Sequence, residues 1–136
     1  MHTLALRLGP GEDLRAALDG ALARRGGEAA FVVSGIGSLR RACIRFAGAE
    51  TPTLLEGDLE ILTLAGTLSP DGSHLHVSVS DAQGRVWGGH AAPGCEVRTT
   101  AEVLVALLPE WRFAREHDPA TGYAELAVRR KPGRAA

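Results

Sequence analysis

The sequence predicts an α+β domain, a mostly antiparallel sheet with one or two helices packed on it. Three observations carry that expectation. Most of the chain alternates apolar and polar residues with the period of a half-buried strand, and one stretch near the N-terminus repeats leucine every fourth residue. Glycine and proline breaks separate these segments. A length of 136 residues suits a single domain, and 45% hydrophobic with 23% charged residues is an ordinary globular composition.

Thr3 to Leu8 places Leu4, Leu6 and Leu8 on one face and reads as a strand. After Pro10-Gly11 the period changes. Leu14, Leu18 and Leu22, with Ala17 and Ala21 beside them, form one face of a helix. Acidic Glu12 and Asp13 stand at its start, Arg24 and Arg25 at its end, and Gly26-Gly27 stops it. Ala29 to Val33 reads as a short buried strand ending in a tight Gly35-Ile36-Gly37 turn, Arg41 to Phe46 as a strand, and Leu59 to Leu68 as a longer one. Thr99 to Leu108 fits either a capping-box helix or an alternating strand. A helix following a short strand at Glu96 to Arg98 is the reading taken here. Glu110 to Arg115, a turn at Asp118 to Gly122, and Tyr123 to Val128 form a closing hairpin. The domain is therefore set at residues 1–128.

The net charge of −1 offers no general attraction to nucleic acid. The tail at 129–136 is different, with Arg129, Arg130, Lys131 and Arg134 close together, and is expected to be a disordered, solvated terminus. No apolar run approaches a membrane span, and the first residues lack a secretory pattern, so cytoplasmic residence is expected. Cys43 and Cys95 lack CxxC spacing and are read as reduced packing residues.

The chemistry concentrates in HLHVSVSDAQGRVWGGH, from His74 to His90. Residues two apart on a strand share a face, so His74 and His76 point together, away from Leu75, Val77 and Val79. Asp81 to Gly84 suits a three-residue loop closed by a G1 bulge, which pairs Asp81 with Arg85 and sets His76 opposite His90. Three imidazoles then meet, a ligand set suited to zinc or another divalent transition metal with one position left open. A slip of one residue would send His90 to the other face. Histidines hydrogen-bonded at a surface or an interface are the alternative. Gly88 and Gly89 would let a ligand or another chain approach closely. Glu60 is the candidate for proton transfer, while Asp81 is assigned to capping the turn. Arg40, Arg41 and Arg45 could steer a small anionic ligand. Gly35 and Gly37 could line the site, though the segment lacks a P-loop lysine and a full GxGxxG. Ser34 and Ser38 read as turn residues, Trp87 and Trp111 as packing.

Gly35-Ile-Gly37-Ser-Leu39, Gly57 to Leu62, Leu64-Ala-Gly-Thr67, His74-Leu-His76, Asp81 to Gly84, Gly88-Gly-His90 and Asp118 to Leu126, in that order, resemble the plant and prokaryote conserved (PPC) domain. The resemblance implies a strongly bent antiparallel sheet, a homotrimer, and histidines at 74, 76 and 90 as metal ligands in some members. In plants the domain follows AT-hook segments and uses a Gly-Arg-Phe-Glu-Ile-Leu motif to support partner contacts; here Asp58 and Leu59 replace Arg and Phe. Prokaryotic members usually stand alone, and their DNA-binding label derives from the plant architecture. This chain has no Arg-Gly-Arg core, and Arg130 to Arg134 approximates one poorly. Two functions follow as expectations. One is a trimeric binding module, DNA-associated or regulatory through a partner protein, with a three-histidine metal site. The other is a zinc-dependent enzyme acting on a small molecule through a metal-bound water. Whether the chain is an enzyme is left open by its sequence.

Overall fold

The computed structural model of the protein describes residues 1–133. The strands are β1 His2–Leu8, β2 Ala30–Arg45, β3 Thr53–Ser69, β4 Gly72–Ser80, β5 Val86–Ala91, β6 Glu96–Leu107, β7 Trp111–Asp118 and β8 Tyr123–Arg130, with one helix, α1 Leu14–Arg24, after β1. Six strands form a sheet in the order β1-β6-β2-β3-β4-β5, and β7-β8 form a separate hairpin. Every strand pairing is antiparallel.

The leucine repeat does in space what its period requires. Asp13 caps α1 by accepting a hydrogen bond from the Ala16 N–H at 2.9 Å, and Leu14, Leu18, Ala21 and Leu22 are buried against the sheet. Leu75, Val77 and Val79 complete the core from β4, which turns the intervening polar side chains outward.

The expected second helix is a strand. Thr99 to Leu107 belongs to β6, whose two edges are taken by β1 and β2. Val97, Ala101, Val103 and Val105 alternate into the core, and the Thr99 hydroxyl lies 2.7 Å from that of Ser38 rather than capping a helix. Pairing on both sides outweighs the local capping signal.

Gly35-Ile36-Gly37 is likewise no turn but the middle of β2, which runs on to Arg45. A side chain at Gly37 would strike the Thr100 carbonyl oxygen, and one at Gly35 would come within 2.9 Å of Leu64. These glycines let β2 cross its neighbours closely and do not line the histidine site.

At its far end β2 also pairs with β5, Ile44 with Ala91 and Arg45 with His90. The strands β2, β3, β4 and β5 therefore close on one another, and the sheet bends sharply to allow it. Gly89 makes the closure fit, because a Cβ there would lie 2.6 Å from the Arg45 carbonyl oxygen.

The start of the tail is structured as well. Arg129 and Arg130 end β8, and ion pairs join Arg129 to Glu116, Arg130 to Glu110 and Lys131 to Glu28. The expected boundary at 128 therefore falls inside a strand. Arg134 and the rest of 134–136 lie outside the described residues.

Candidate metal centre

The β4–β5 hairpin has the register deduced from its loop. Asp81 N–H donates to the Arg85 carbonyl at 2.9 Å, Gly84 takes φ 79°, and His76 stands opposite His90. The Asp81 carboxylate accepts from the backbone N–H groups of Gln83 and Arg85, from Arg85 Nε and from Trp87 Nε1. Burial pulls its carboxyl upward, but these bonds hold it below the ordinary aspartate value. Asp81 is therefore a turn clamp. Trp87 stacks on Phe46 with ring centroids 6.2 Å apart, fastening β5 to the end of β2.

The imidazoles of His74, His76 and His90 form a triangle with centroid separations of 5.0, 5.3 and 4.8 Å. One ligand nitrogen from each lies within 4.8 Å of the others. Ligands about 2.0–2.1 Å from a common zinc ion lie roughly 3.3 Å apart, so small rotamer changes would close the triangle. Desolvation and the charges of Arg115, His76 and His90 hold the His74 pKa below its usual 6.5, against an opposing pull from Glu125. Desolvation, Arg45 and His76 do the same for His90. Both rings favour the neutral, metal-binding form. The donor set fits a borderline divalent ion.

Glu60 does not join this cluster. It pairs with Ser80, four residues along β4 from His76, a separation of roughly 13 Å at strand rise. The carboxylate near the triangle is that of Glu125, on β8 and half-buried. Of the three arginines, Arg40 is paired with Glu96 and Arg41 with Glu56, leaving Arg45 beside His90. Sequence reasoning missed Arg115, whose guanidinium donates to Thr67 Oγ1 at 3.2 Å while Thr67 pairs with His74. No local pattern announces it, because the β7–β8 hairpin reaches the site only through tertiary packing.

Gly88 sits over the Val77 carbonyl, so it and Gly89 serve approaches within the chain. Cys43 and Cys95 are both free and adjacent, the Cys43 N–H pointing at Cys95 Sγ at 3.4 Å, and burial pushes the Cys95 thiol up to about 11. That raises its cost of ionisation and suits packing rather than metal ligation.

An antiparallel bent sheet with one helix and a histidine triangle on an outward-facing hairpin defines the class of the protein. The sequence profile of the Plants and Prokaryotes Conserved (PCC) domain, the PPC domain named above, matches residues 1–109, and the chain belongs to this family. Among solved structures, a hypothetical protein from Salmonella cholerae-suis is 39% identical, with a TM-score of 0.93 over 96% of this chain and 95% of that one. A metal-containing protein from Archaeoglobus fulgidus is 32% identical, with a TM-score of 0.80 over 93% and 94% of the two chains. A PPC protein from Pyrococcus horikoshii is 28% identical, with a TM-score of 0.75 over 91% and 90%. Bifunctional protein GlmU from a Synechococcus strain is 50% identical over 123 residues, 90% of this chain. The chain spans only about a fifth of the length of that curated relative. No helix among the described residues is long and apolar enough to cross a membrane.

Proposed function

We propose that the protein is a homotrimeric PPC-domain binding module that holds zinc or a similar divalent transition metal at His74, His76 and His90 and acts in a regulatory or DNA-associated role in the cytoplasm. The observation that carries the metal is the opposition of His76 and His90, which brings three imidazoles to one point. The metal-containing relative from Archaeoglobus fulgidus supports the same reading. When bound, such an ion supplies a Lewis-acidic position for a ligand or a structural pin for the hairpin.

Trimer formation is supported by an uncovered strip in which exposed apolar side chains stand among Ser34 and Glu102. Ala5, Leu104 and Ser34 form one cross-strand row over β1, β6 and β2, with Ile36 and Glu102 in the next. Ile36 is 53% exposed and Leu104 39%, which suits an interface with further copies of the chain. The regulatory role is supported by the GlmU relative, in which a sequence like this one is part of a longer bifunctional protein. The DNA association is supported by similarly folded proteins from Bacteroides thetaiotaomicron and Ralstonia eutropha that carry provisional DNA-binding names.

Elemental analysis of gently purified protein tests the metal. Near-stoichiometric metal is expected in the wild type and none when His74, His76 and His90 are all replaced by Ala; a wild type that stays empty after zinc addition defeats the site.

The outward face of the triangle also favours a second reading, a zinc-dependent enzyme acting on a small molecule, with Glu125 in place of Glu60 as the proton-handling carboxylate. A turnover lost in Glu125→Gln at unchanged metal content would select it.

A further inference from the structure

The cross-strand rows around the histidines contain more than the ligands. Ala65, His76, His90 and Arg45 stand side by side on β3, β4, β5 and β2, because each is the register partner of the next. Directly paired residues share a face, so Arg45 flanks His90 on the side away from His76. The neighbouring row holds Thr67 and His74. There the Arg115 guanidinium, reaching in from β7, is tied to Thr67 Oγ1. Two guanidinium groups therefore bracket the triangle, one next to His90 and one next to the His74–Thr67 pair.

Each guanidinium is tied to a neutral acceptor, Thr67 Oγ1 for Arg115 and the Ala49 carbonyl for Arg45. Arg45 Nη1 donates to the Ala49 carbonyl at 3.2 Å, and Arg115 is further anchored by its backbone N–H, which donates to Asp71 Oδ2 at 2.9 Å. Among the described residues neither guanidinium has a carboxylate within ion-pair distance; Arg7, Arg15, Arg24 and Arg25 also have none, whereas Arg40, Arg41, Arg85, Arg98, Arg112, Arg129 and Arg130 do, and what sets Arg45 and Arg115 apart is their place beside the histidines. Both arginines are half-buried. Two half-buried guanidinium groups without an ion-pair partner, beside a site for a divalent cation, favour an anion there, with partial compensation from the carboxylates of Asp71 and Glu125. Guanidinium groups suit planar or tetrahedral oxyanions, to which they donate in pairs.

We infer that the open side of the histidine triangle takes an oxyanion, the carboxylate or phosphate group of a small molecule, held between Arg115 and Arg45. The inference deepens the metal reading and rests on it for the ion, while the two arginines are its own observation. Glu125 is the opposing charge nearby and selects against a second anionic group on its side of the ligand.

Titration calorimetry with inorganic phosphate and with acetate, on zinc-loaded protein in a chloride buffer, tests it. Binding of either anion is expected, weakened about tenfold in Arg115→Gln and in Arg45→Gln at unchanged zinc content. Preference for phosphate assigns a phosphate ester as the ligand class, and preference for acetate a carboxylate. Zinc content and circular dichroism identify a variant that misfolds, and the other arginine then decides. No anion binding to zinc-loaded protein, or equal binding to wild type and both variants, overturns the inference and leaves the metal standing. If zinc never loads, the metal reading fails, and the same titration on the metal-free chain decides whether the arginine pair binds an anion.

Discussion

His74 and His90 have pKa values below that of a free imidazole, and this has a consequence for metal-free protein. Between the lowered folded value and the usual 6.5, the unfolded chain binds more protons than the folded one. Stability therefore rises with pH through that window and is lost as pH falls through it. Thermal melts of metal-free protein from pH 7.5 to 5 are expected to show a falling Tm below about pH 6.5, flattened when His74 and His90 are replaced by Asn. A bound metal would deepen the loss, since acid protonates the ligands and releases it. A flat wild-type profile would contradict the desolvation assigned to these rings. The triangle itself was legible in the sequence, because the HxH pair, the Asp81 to Gly84 loop and His90 are all local to one hairpin. Arg115 and Glu125 were not, as nothing within β7 or β8 encodes what they pack against.

For the hairpin as an element, register is the controlling variable. Inserting one Ala between Gly88 and Gly89 would move His90 to the opposite face while leaving its identity unchanged. Zinc affinity is expected to fall by more than about 100-fold, toward that of the remaining His74–His76 pair. Zinc titration checks the affinity, and circular dichroism checks that the sheet survives; retained affinity would mean that His90 is not a ligand. Strand identity was legible where alternation was strong, as in β1, β4 and the closing hairpin, and α1 was legible from its leucine repeat. β6 was misread because Thr99 and Glu102 have capping-box spacing, a signal that covers one turn and is outweighed by hydrogen bonds to two neighbouring strands. The middle of β2 was misread because Gly35 and Gly37 look like turn residues until the close crossings with Leu64 and Thr100 are seen.

At the scale of the whole molecule, the proposed trimer rests on the exposed strip around Ile36. Ile36→Glu is expected to shift the protein from trimer to monomer in analytical ultracentrifugation, with the hairpin and its zinc affinity unchanged; a wild type that is monomeric at micromolar concentration would remove the trimer. The same scale bears on nucleic acid, since Arg129, Arg130 and Lys131 are already paired with Glu116, Glu110 and Glu28. Those pairs blunt the charge of three members of the cationic block, so a DNA association would draw less on Arg129, Arg130 and Lys131 than their sequence suggests.

All three candidate metal ligands lie on one hairpin, with His74 and His90 sixteen positions apart, whereas Arg45 meets His90 only when β2 closes on β5. A hairpin of this kind forms within microseconds, long before distant strands find one another. The imidazoles can thus be gathered in a chain that has not yet acquired its arginine bracket. An ion captured at that stage would fix the β4–β5 register in advance and serve as a template for the strands that arrive later. With both proposals in force, the order of assembly would be metal first and anion last, and oxyanion recognition would belong to the finished domain alone.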